Sequence, residues 1–333
     1  MASINEGSSH PQDPRQGLAE MAKHATRCSI NLDGCVSEDK AYFLRGGSGI
    51  VRSGTIDLTK MVDKVRTADG RLWGDKYGNR VAIKSPCADP PCGESDIKKF
   101  LKEVHVWWKL DHANVAPILG ITTEFNLTVS IVSPWMENGN AHNYVQDKTV
   151  DPRPLIDGIA AGLHYLHNHE PYPIFHGDLK GVNVLISDDG DALLTDFGFT
   201  VAVNSSFSIA MSNTEGTKGT LKWMSPQILD GGGVSPEADV WAFGMTVLEL
   251  FTRKDPFHLF ATNASIITRI FRGGPDRPST DDTCARLTDE WWAICVKCWE
   301  YEPLSRPTMS CIIQTITKIM QKSQTSVPNG VHG

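Results

Sequence analysis

The sequence predicts an α+β fold of two lobes, a small β-rich N-terminal lobe with one key helix and a larger, mainly helical C-terminal lobe. Two patterns predict it. Residues 29–135 contain short β-like apolar runs interrupted once by helical periodicity, whereas residues 136–322 contain longer segments in which apolar residues recur at helical spacing. The chain has 333 residues, 40% of them apolar, which is enough to form a core in each lobe.

Composition and charge exclude several classes of protein. The formal net charge of −7 disfavours a nucleic-acid binder, which usually carries a basic excess. No uncharged apolar run approaches the ~18–20 residues that span a bilayer, and the polar N-terminal residues lack the apolar core of a secretory signal. We therefore expect a soluble cytoplasmic protein that binds neither nucleic acid nor membrane. Residues 1–28 are predicted to be a disordered tail and residues 323–333 a flexible one.

The cysteines predict neither a disulfide scaffold nor a metal site. Eight cysteines are spread over a long chain. Cys295 and Cys298 have the spacing of half a zinc site or of a redox pair, but they fall in a predicted buried helix, and no second Cys/His pair follows at zinc spacing. We interpret both as reduced core residues.

A glycine-rich turn lies near the start of the N-terminal lobe. Gly46, Gly47 and Gly49 fall within it, and Val51 follows. Because glycine has no Cβ atom, backbone N–H groups in such a turn can approach phosphate oxygens closely. Taken alone, the segment is also typical of a flexible turn, so its interpretation depends on the elements that follow.

The next strand carries a lysine on a defined face. In Val81-Ala82-Ile83-Lys84, side chains alternate, so Ala82 and Lys84 share one face. Taken alone, this strand fits an edge strand with a solvated lysine equally well. The long connection before it, residues 57–79, contains two glycine-bearing turns, and we interpret it as an exposed insertion.

A helix is predicted to begin at Ser95-Asp96. Its apolar positions recur at helical spacing: Ile97, Phe100, Leu101, Val104 and Trp108. Glu103 lies at the margin of this apolar face, where its carboxylate could point at the sheet or remain in solvent.

Three helices are predicted in the C-terminal lobe. Ile156, Ile159, Leu163 and Leu166 mark the first of them. Val240 to Phe251 marks a more buried helix, and Ile312 to Met320 marks the last. From Gln321 onward the chain is polar, and we expect it to be loose.

The stretch from Ile174 to Asn183 carries the groups that phosphoryl transfer to a hydroxyl requires. Asp178 is followed by Lys180 two residues later and by Asn183 five residues later, and Asp196 opens an Asp-Phe-Gly turn after two short apolar runs. A carboxylate can accept the hydroxyl proton, a cation can balance the γ-phosphate, and two oxygen ligands can hold Mg²⁺.

This ordered string, with Val-Ala-Ile-Lys upstream, resembles the eukaryotic protein kinase family. Lys222-Trp223-Met224 and Arg306-Pro307-Thr308-Met309 resemble its tyrosine-kinase-like group, whose fungal members often have His-Gly-Asp-Leu-Lys as here. The resemblance covers roughly residues 30–320. It implies the bilobal protein kinase fold, with a boundary near Trp135–Asn138.

The resemblance also implies the cofactors ATP and Mg²⁺, protein substrates, and a role for each candidate residue. In the N-terminal lobe, the three glycines and Val51 would cover the phosphates, Ala82 would contact adenine, and Lys84, paired with Glu103, would reach the α/β-phosphates. In the C-terminal lobe the implied set is Asp178 as general base, Lys180 at the γ-phosphate, Thr220 hydrogen-bonded to the Asp178–Lys180 pair, Asn183 and Asp196 on Mg²⁺, and Met136 and Leu185 against adenine. Lys180 together with Thr220 resembles the serine/threonine-directed members.

Three positions depart from the family pattern. Leu44 occupies the place of the first glycine, and Gly177 replaces the arginine that usually precedes the catalytic aspartate. Gln227 replaces a glutamate that pairs with the arginine corresponding to Arg306. We expect the Gln227–Arg306 hydrogen bond to be weaker than an ion pair by about 1 kcal/mol.

These departures leave two alternatives to a protein kinase. A catalytically weak or inactive pseudokinase would explain them, although Lys84, Glu103, Asp178, Asn183 and Asp196 are all present. A small-molecule phosphotransferase of the aminoglycoside or choline type shares His-Gly-Asp-Leu, but generally lacks the lysine two positions after the aspartate. The favoured function is ATP-dependent transfer of the γ-phosphate to serine or threonine of proteins.

Overall fold

The computed structural model describes residues 30–46, 49–61, 73–85, 104–125, 128–196, 201–202 and 220–325. The chain divides into two compact units. The first comprises Met1–Lys109 and Pro117–Trp135, and the second comprises Leu110–Ala116 and Met136–Gly333. The predicted disordered tail at residues 1–28 lies outside the described residues.

The first unit is built on a five-stranded antiparallel sheet. The strands are β1 (Val36–Gly46), β2 (Gly49–Ile56), β3 (Arg80–Ser85), β4 (Gly120–Thr122) and β5 (Ser130–Pro134). Their order in the sheet is β1-β2-β3-β5-β4. Strand β3 is central and shows the predicted alternation: Val81 and Ile83 are fully buried, whereas Ala82 and Lys84 are half-buried.

The prediction that residues 57–79 form an exposed insertion is wrong in part. A short helix, α1 (Trp73–Tyr77), lies within this connection, and Trp73 is only 3% exposed. Trp73 packs in the same apolar cluster as Leu32 and Ile83, and Leu58 and Tyr77 lie against that cluster. The large apolar surface of an indole favours burial, and this outweighed the turn-like composition around it.

The predicted helix after Ser95-Asp96 is described only at its C-terminal end. Residues 104–107 are helical. Val104 and Trp107 are 1% and 3% exposed, so this end has a buried face. The predicted helix start and Glu103 lie outside the described residues.

The second unit is mainly helical. Its helices are α2 (Ala141–Tyr144), α3 (Arg153–His167), α4 (Pro226–Leu229), α5 (Pro236–Thr252), α6 (Asn263–Phe271), α7 (Asp289–Cys298) and α8 (Met309–Thr325). They confirm the three helices predicted for this part of the chain. The helix α8, however, continues to Thr325, so the expectation of a loose chain from Gln321 is wrong as far as that residue.

Helix α5 is the buried centre of this unit. Pro236 occupies its first turn, and the Ser235 hydroxyl accepts a hydrogen bond from the Ala238 backbone N–H at 3.2 Å. Ser235 is therefore the N-cap. The helix ends at Arg253, which has a left-handed φ of 63°. Cys295 and Cys298, on the neighbouring helix α7, are fully buried, as predicted.

Two short two-stranded antiparallel sheets complete the described part of the second unit. Strand β6 (Ile174–Phe175) pairs with β9 (Val201–Ala202), and β7 (Val184–Ile186) pairs with β8 (Ala192–Leu194). The segment between β6 and β7 contains the candidate catalytic residues. In the described parts of the chain, helices are too short or too polar to cross a bilayer.

Candidate active site

In the first unit, the candidate nucleotide-binding residues share one face of the sheet. Val51 lies directly opposite Lys84 in the β2–β3 pair, and Ala82 lies opposite Ser133 in the β3–β5 pair. Directly opposed residues of antiparallel strands point to the same side. Val51, Ala82 and Lys84 are half-buried, whereas the intervening Ile83 is in the core. The structure therefore presents a lysine and two small apolar side chains together.

The glycine-rich turn connects β1 to β2. Gly46 pairs with Gly49, and Gly49 has a φ of 135°, a backbone conformation that side-chain-bearing residues rarely adopt. Gly47 lies outside the described residues. The hairpin places the end of this turn close to Val51 and hence to the lysine-bearing face.

In the second unit, a buried carboxylate anchors the segment before Asp178. Asp239, on helix α5, is 1% exposed and accepts hydrogen bonds from the backbone N–H groups of His176 and Gly177, both at 2.8 Å. His167 Nε2 lies 2.9 Å from the same carboxylate. Asp239 therefore anchors this segment, whereas the N-cap of helix α5 is Ser235.

Gly177 has a backbone reason to be glycine. Its φ is 76°, in the left-handed region, while its N–H is directed at Asp239. A side chain at that φ costs about 1–2 kcal/mol. The departure from the family pattern at this position therefore coincides with a backbone conformation that favours glycine.

Asp178, Lys180 and Thr220 are in direct contact. Lys180 Nζ donates to Asp178 Oδ2 at 2.8 Å and to Thr220 Oγ1 at 2.8 Å. The side chains of Asp178 and Lys180 are 7% and 15% exposed. Since both charges are largely removed from water, their geometry is restrained more strongly than that of a surface pair.

The two oxygens of Asp178 have different surroundings. Oδ2 accepts from Lys180 and, at 2.9 Å, from Asn183 Nδ2. Oδ1 is buried and has no hydrogen-bond donor among the residues that the structure describes. A buried carboxylate oxygen without a donor is costly, and sites of this kind often serve a ligand or a reaction. Oδ1 is therefore the atom that can accept a proton or a hydroxyl hydrogen bond.

A hairpin brings the two candidate metal ligands together. Asn183 immediately precedes β7 and Asp196 lies two residues after β8, and the Thr195 backbone N–H donates to the Asn183 carbonyl at 3.1 Å. Asn183 Nδ2 donates to the backbone carbonyl of Asp178 at 2.7 Å as well as to its carboxylate. This orientation leaves the amide oxygen of Asn183 as the atom that can bind a cation.

Asp196 adopts a strained conformation. Its φ is 66°, which for a residue other than glycine costs about 1–2 kcal/mol. Phe197 and Gly198, the rest of the Asp-Phe-Gly turn, lie outside the described residues. Carboxylate and amide oxygens on adjacent strands match the ligand chemistry of Mg²⁺.

The two candidate adenine contacts of this unit are Met136, at the start of its longer segment, and Leu185, on strand β7. Met136 is 8% exposed, and its carbonyl accepts from the Gly139 N–H at 3.0 Å. Leu185 is half-buried on β7 and forms an isolated bridge with Asn140. Both side chains are apolar.

Gln227 forms a neutral link with Arg306. Arg306 Nη2 donates to Gln227 Oε1 at 2.7 Å, and Gln227 Nε2 donates to the Tyr301 carbonyl at 2.8 Å. Arg306 is 6% exposed, and its burial lowers the pKa of the guanidinium to about 10. The predicted hydrogen bond between Arg306 and Gln227 is present. The Gln227 amide also donates to the Tyr301 carbonyl, which a glutamate carboxylate could not do.

Sequence analysis missed one buried charge near the site. Glu249, on α5, accepts a hydrogen bond from the Gly181 backbone N–H at 2.9 Å, directly after Lys180. The available signal was a lone carboxylate in the mostly apolar run Val240–Phe251. Charged residues are almost never fully buried unless paired, so that pattern indicates an interaction.

The chain is similar to known protein kinases. The family model described as protein tyrosine and serine/threonine kinase matches residues 62–316. Mitogen-activated protein kinase kinase kinase 7 of Drosophila melanogaster is 28% identical over 257 residues, covering 75% of this chain and 35% of that protein. Mitogen-activated protein kinase kinase kinase 2 of Arabidopsis thaliana is 30% identical over 239 residues, covering 71% of this chain and 35% of that protein.

A third relative, dual specificity protein kinase shkE of Dictyostelium discoideum, is 27% identical over 271 residues and covers 75% of this chain and 35% of that protein. The chain thus spans about a third of the length of these relatives. The matched region includes every candidate residue from Ala82 to Thr220. The chain belongs to the eukaryotic protein kinase family, in its tyrosine-kinase-like group.

Proposed function

We propose that the chain is an ATP- and Mg²⁺-dependent protein kinase that transfers the γ-phosphate to serine or threonine hydroxyls of proteins. The observation that carries the proposal is the asymmetric carboxylate of Asp178, with Oδ2 held by Lys180 and Asn183 and Oδ1 buried without a donor among the described residues. A general base requires an oriented carboxylate with one available oxygen.

Asp178 orients the incoming hydroxyl and accepts its proton. The hydroxyl donates to Oδ1, which directs the oxygen lone pair toward the phosphorus. In a loose transition state little proton transfer is needed early, so orientation contributes most of the effect. The bonds to Oδ2 prevent the carboxylate from rotating away from the substrate.

Lys180 provides the positive charge on the substrate side. Its ammonium contacts Asp178 and Thr220, which leaves one of its three N–H groups for a transferring phosphoryl oxygen. Thr220 keeps the ammonium beside the base. The combination of Lys180 and Thr220 also supports serine or threonine as the acceptor, because it resembles the serine/threonine-directed members.

Asn183 and Asp196 supply the oxygens that would hold Mg²⁺, which neutralises phosphate charge when bound. In the first unit, Lys84 would bind the α/β-phosphates, with Glu103 as its proposed ion-pair partner, and Ala82 would contact adenine. Gly46, Gly47, Gly49 and Val51 would cover the phosphates, and Met136 and Leu185 would contact the purine.

Protein, rather than a small molecule, is the proposed acceptor. All three relatives described above are named as protein kinases. Lys180, two positions after Asp178, also distinguishes the chain from the aminoglycoside and choline type of phosphotransferase. We further propose that it acts in the cytoplasm.

The test is transfer of labelled γ-phosphate from ATP with Mg²⁺, offering a generic protein and an aminoglycoside separately, with Lys84→Met and Asp178→Asn as controls. We expect label on phosphoserine or phosphothreonine in protein, lost in both controls. Label on phosphotyrosine as well would extend the activity to dual specificity. Label on the aminoglycoside alone, or ATP binding without transfer, would refute the proposal.

A further inference from the structure

A single buried carboxylate in the second unit joins three separate segments. Glu249 is 1% exposed. Its Oε2 accepts from the Gly181 backbone N–H and from the Trp223 indole N–H, both at 2.9 Å, and its Oε1 lies 2.7 Å from Nδ1 of His142. The three partners belong to the segment between β6 and β7 (residues 176–183, the catalytic loop), to the 220–224 segment and to helix α2.

Two of these segments restrain Lys180. Gly181 follows Lys180 in the chain, so a fixed Gly181 N–H fixes the backbone on one side of the lysine. Trp223 lies three residues after Thr220, which accepts the hydrogen bond from Lys180 Nζ. Glu249 therefore restrains Lys180 through the backbone N–H of the next residue, Gly181. It restrains Thr220, the hydrogen-bond partner of Lys180, through Trp223.

The approach of Glu249 to the loop depends on a glycine. A Cβ atom added at Gly181 would lie 2.4 Å from Glu249 Oε1 and 2.9 Å from Glu249 Cδ. Such distances are far below ordinary van der Waals contact, and the side chain of Glu249 is enclosed on helix α5. The glycine at position 181 therefore allows the Glu249 carboxylate to lie against the backbone of the loop.

His142 is placed to supply the charge that balances Glu249. A carboxylate removed from water is costly unless donors or a cation compensate it. The side chain of His142 is 25% exposed, so its ring can exchange protons with solvent while Glu249 cannot be reached directly. Hydrogen bonding to Glu249, with the negative charges of Glu249 and Asp255, raises the pKa of His142 against the opposing effect of burial.

The remaining groups that face His142 leave this balance intact. His142, Glu249 and Asp255 have side-chain atoms that could bind a metal ion, and these atoms lie within 4.8 Å of one another. However, Lys222 Nζ already contacts Asp255 at 2.9 Å. The positive charge of Lys222 disfavours a metal ion in that place. It also opposes protonation of His142, but the net direction of the His142 pKa is still upward because of Glu249 and Asp255. The turn Gly181–Asn183 and the strand β7, which also pack against helix α2, contain no titratable side chain.

We propose that His142 and Glu249 form a positioning pair for phosphoryl transfer, in which the protonated imidazole holds Glu249, and Glu249 holds Lys180 and Thr220 in their relative places. The inference rests on the proposed function. Because the protonated form makes the stronger bond, the restraint is complete at acid pH and weakens as the pH rises through the pKa of His142. Turnover should then decline on the alkaline side.

The test compares kcat from about pH 6 to about pH 9 for the wild type, His142→Asn and His142→Leu. The asparagine amide retains a neutral donor near the place of Nδ1, whereas leucine removes it. We expect the wild-type kcat to fall about fivefold, the difference between a charged and a neutral hydrogen bond. His142→Asn should stay near the alkaline wild-type value at every pH, and His142→Leu should be slower still. The KM for ATP should change less than about twofold in both variants.

A second readout does not require activity. The Trp223 indole proton, assigned by its loss in Trp223→Phe, should shift with the titration of His142 in the wild type and remain constant in His142→Asn. Thermal melts at each pH separate these effects from unfolding.

The outcomes separate the pair from the proposed function. Transfer by the wild type with an alkaline decline that His142→Asn shares would overturn the pair and leave the proposed function intact, as would equal kcat values in all three proteins. No transfer at any pH, with a Trp223 proton that titrates, would overturn the proposed function while supporting the link from His142 through Glu249 to Trp223.

Discussion

Replacing Gly181 by alanine tests the contact between the catalytic loop and helix α5. The added methyl group would meet Glu249 Oε1 at 2.4 Å, so either the carboxylate or the loop has to move by roughly 1 Å to reach ordinary contact. Glu249 cannot move outward freely, because Trp223 and His142 hold it in the core. We expect the bond from the Gly181 N–H to be lost.

The magnitude follows from that bond. A hydrogen bond to a charged group contributes about 1.5–3 kcal/mol, and the lower backbone entropy of alanine in the unfolded chain returns about 0.4–1 kcal/mol. The net loss in free energy of unfolding is therefore on the order of 1–2 kcal/mol. A displacement of roughly 1 Å beside Lys180 also lowers kcat by tens to a hundredfold.

The assays are urea unfolding followed by tryptophan fluorescence and initial-rate phosphoryl transfer. Gly233→Ala is the matched control, since a Cβ atom there meets nothing within 4 Å. We expect the control to match the wild type in kcat and to be more stable by about 0.4–1 kcal/mol, the gain from the lower backbone entropy of its unfolded chain. An unchanged urea midpoint together with a kcat within about twofold of wild type for Gly181→Ala would refute this account of the loop.

Three further predictions concern the remainder of the fold. Gln227→Glu should raise the free energy of unfolding by about 1 kcal/mol, because the charged pair with Arg306 outweighs the lost bond to the Tyr301 carbonyl; an unchanged melting temperature would contradict it. Trp73→Ala should lower the free energy of unfolding by about 3–5 kcal/mol, whereas a change within about 0.5 kcal/mol would restore the interpretation of an exposed insertion. Since burial raises the pKa of the Cys298 thiol to about 12, iodoacetamide should label the exposed Cys311 in the native chain and Cys298 only after unfolding. Equal labelling rates in the native chain would contradict that.

Strong local patterns were sufficient to predict most of the described fold. Helical spacing identified Ile156, Ile159 and Leu163 as buried positions of α3, and alternation identified the two faces of β3. Trp73 was mispredicted because its neighbours are turn-forming residues, and its burial depends on distant residues such as Leu32 and Ile83. Local sequence carries no information about such a partner.

The candidate site was likewise predictable from the sequence only in part. The order and spacing of Asp178, Lys180 and Asn183 were sufficient to nominate the catalytic loop. The role of Glu249 was not predictable, because its partners Gly181 and Trp223 come from segments that only tertiary structure brings together. The sequence shows a lone carboxylate in a mostly apolar helix and a glycine after Lys180, and neither feature identifies the partner of the other.

The most direct test of the central claim is the single-turnover rate of γ-phosphate transfer to a serine-containing protein by the wild type and by Asp178→Asn, with ATP and Mg²⁺ saturating. The asparagine retains the shape of the side chain and removes the basic oxygen that the structure leaves available. We predict a wild-type rate at least about 10²-fold higher than that of the variant, the usual contribution of a general base. Equal rates in the two proteins, or no transfer by the wild type, would contradict the assignment of Asp178 and with it the proposed function.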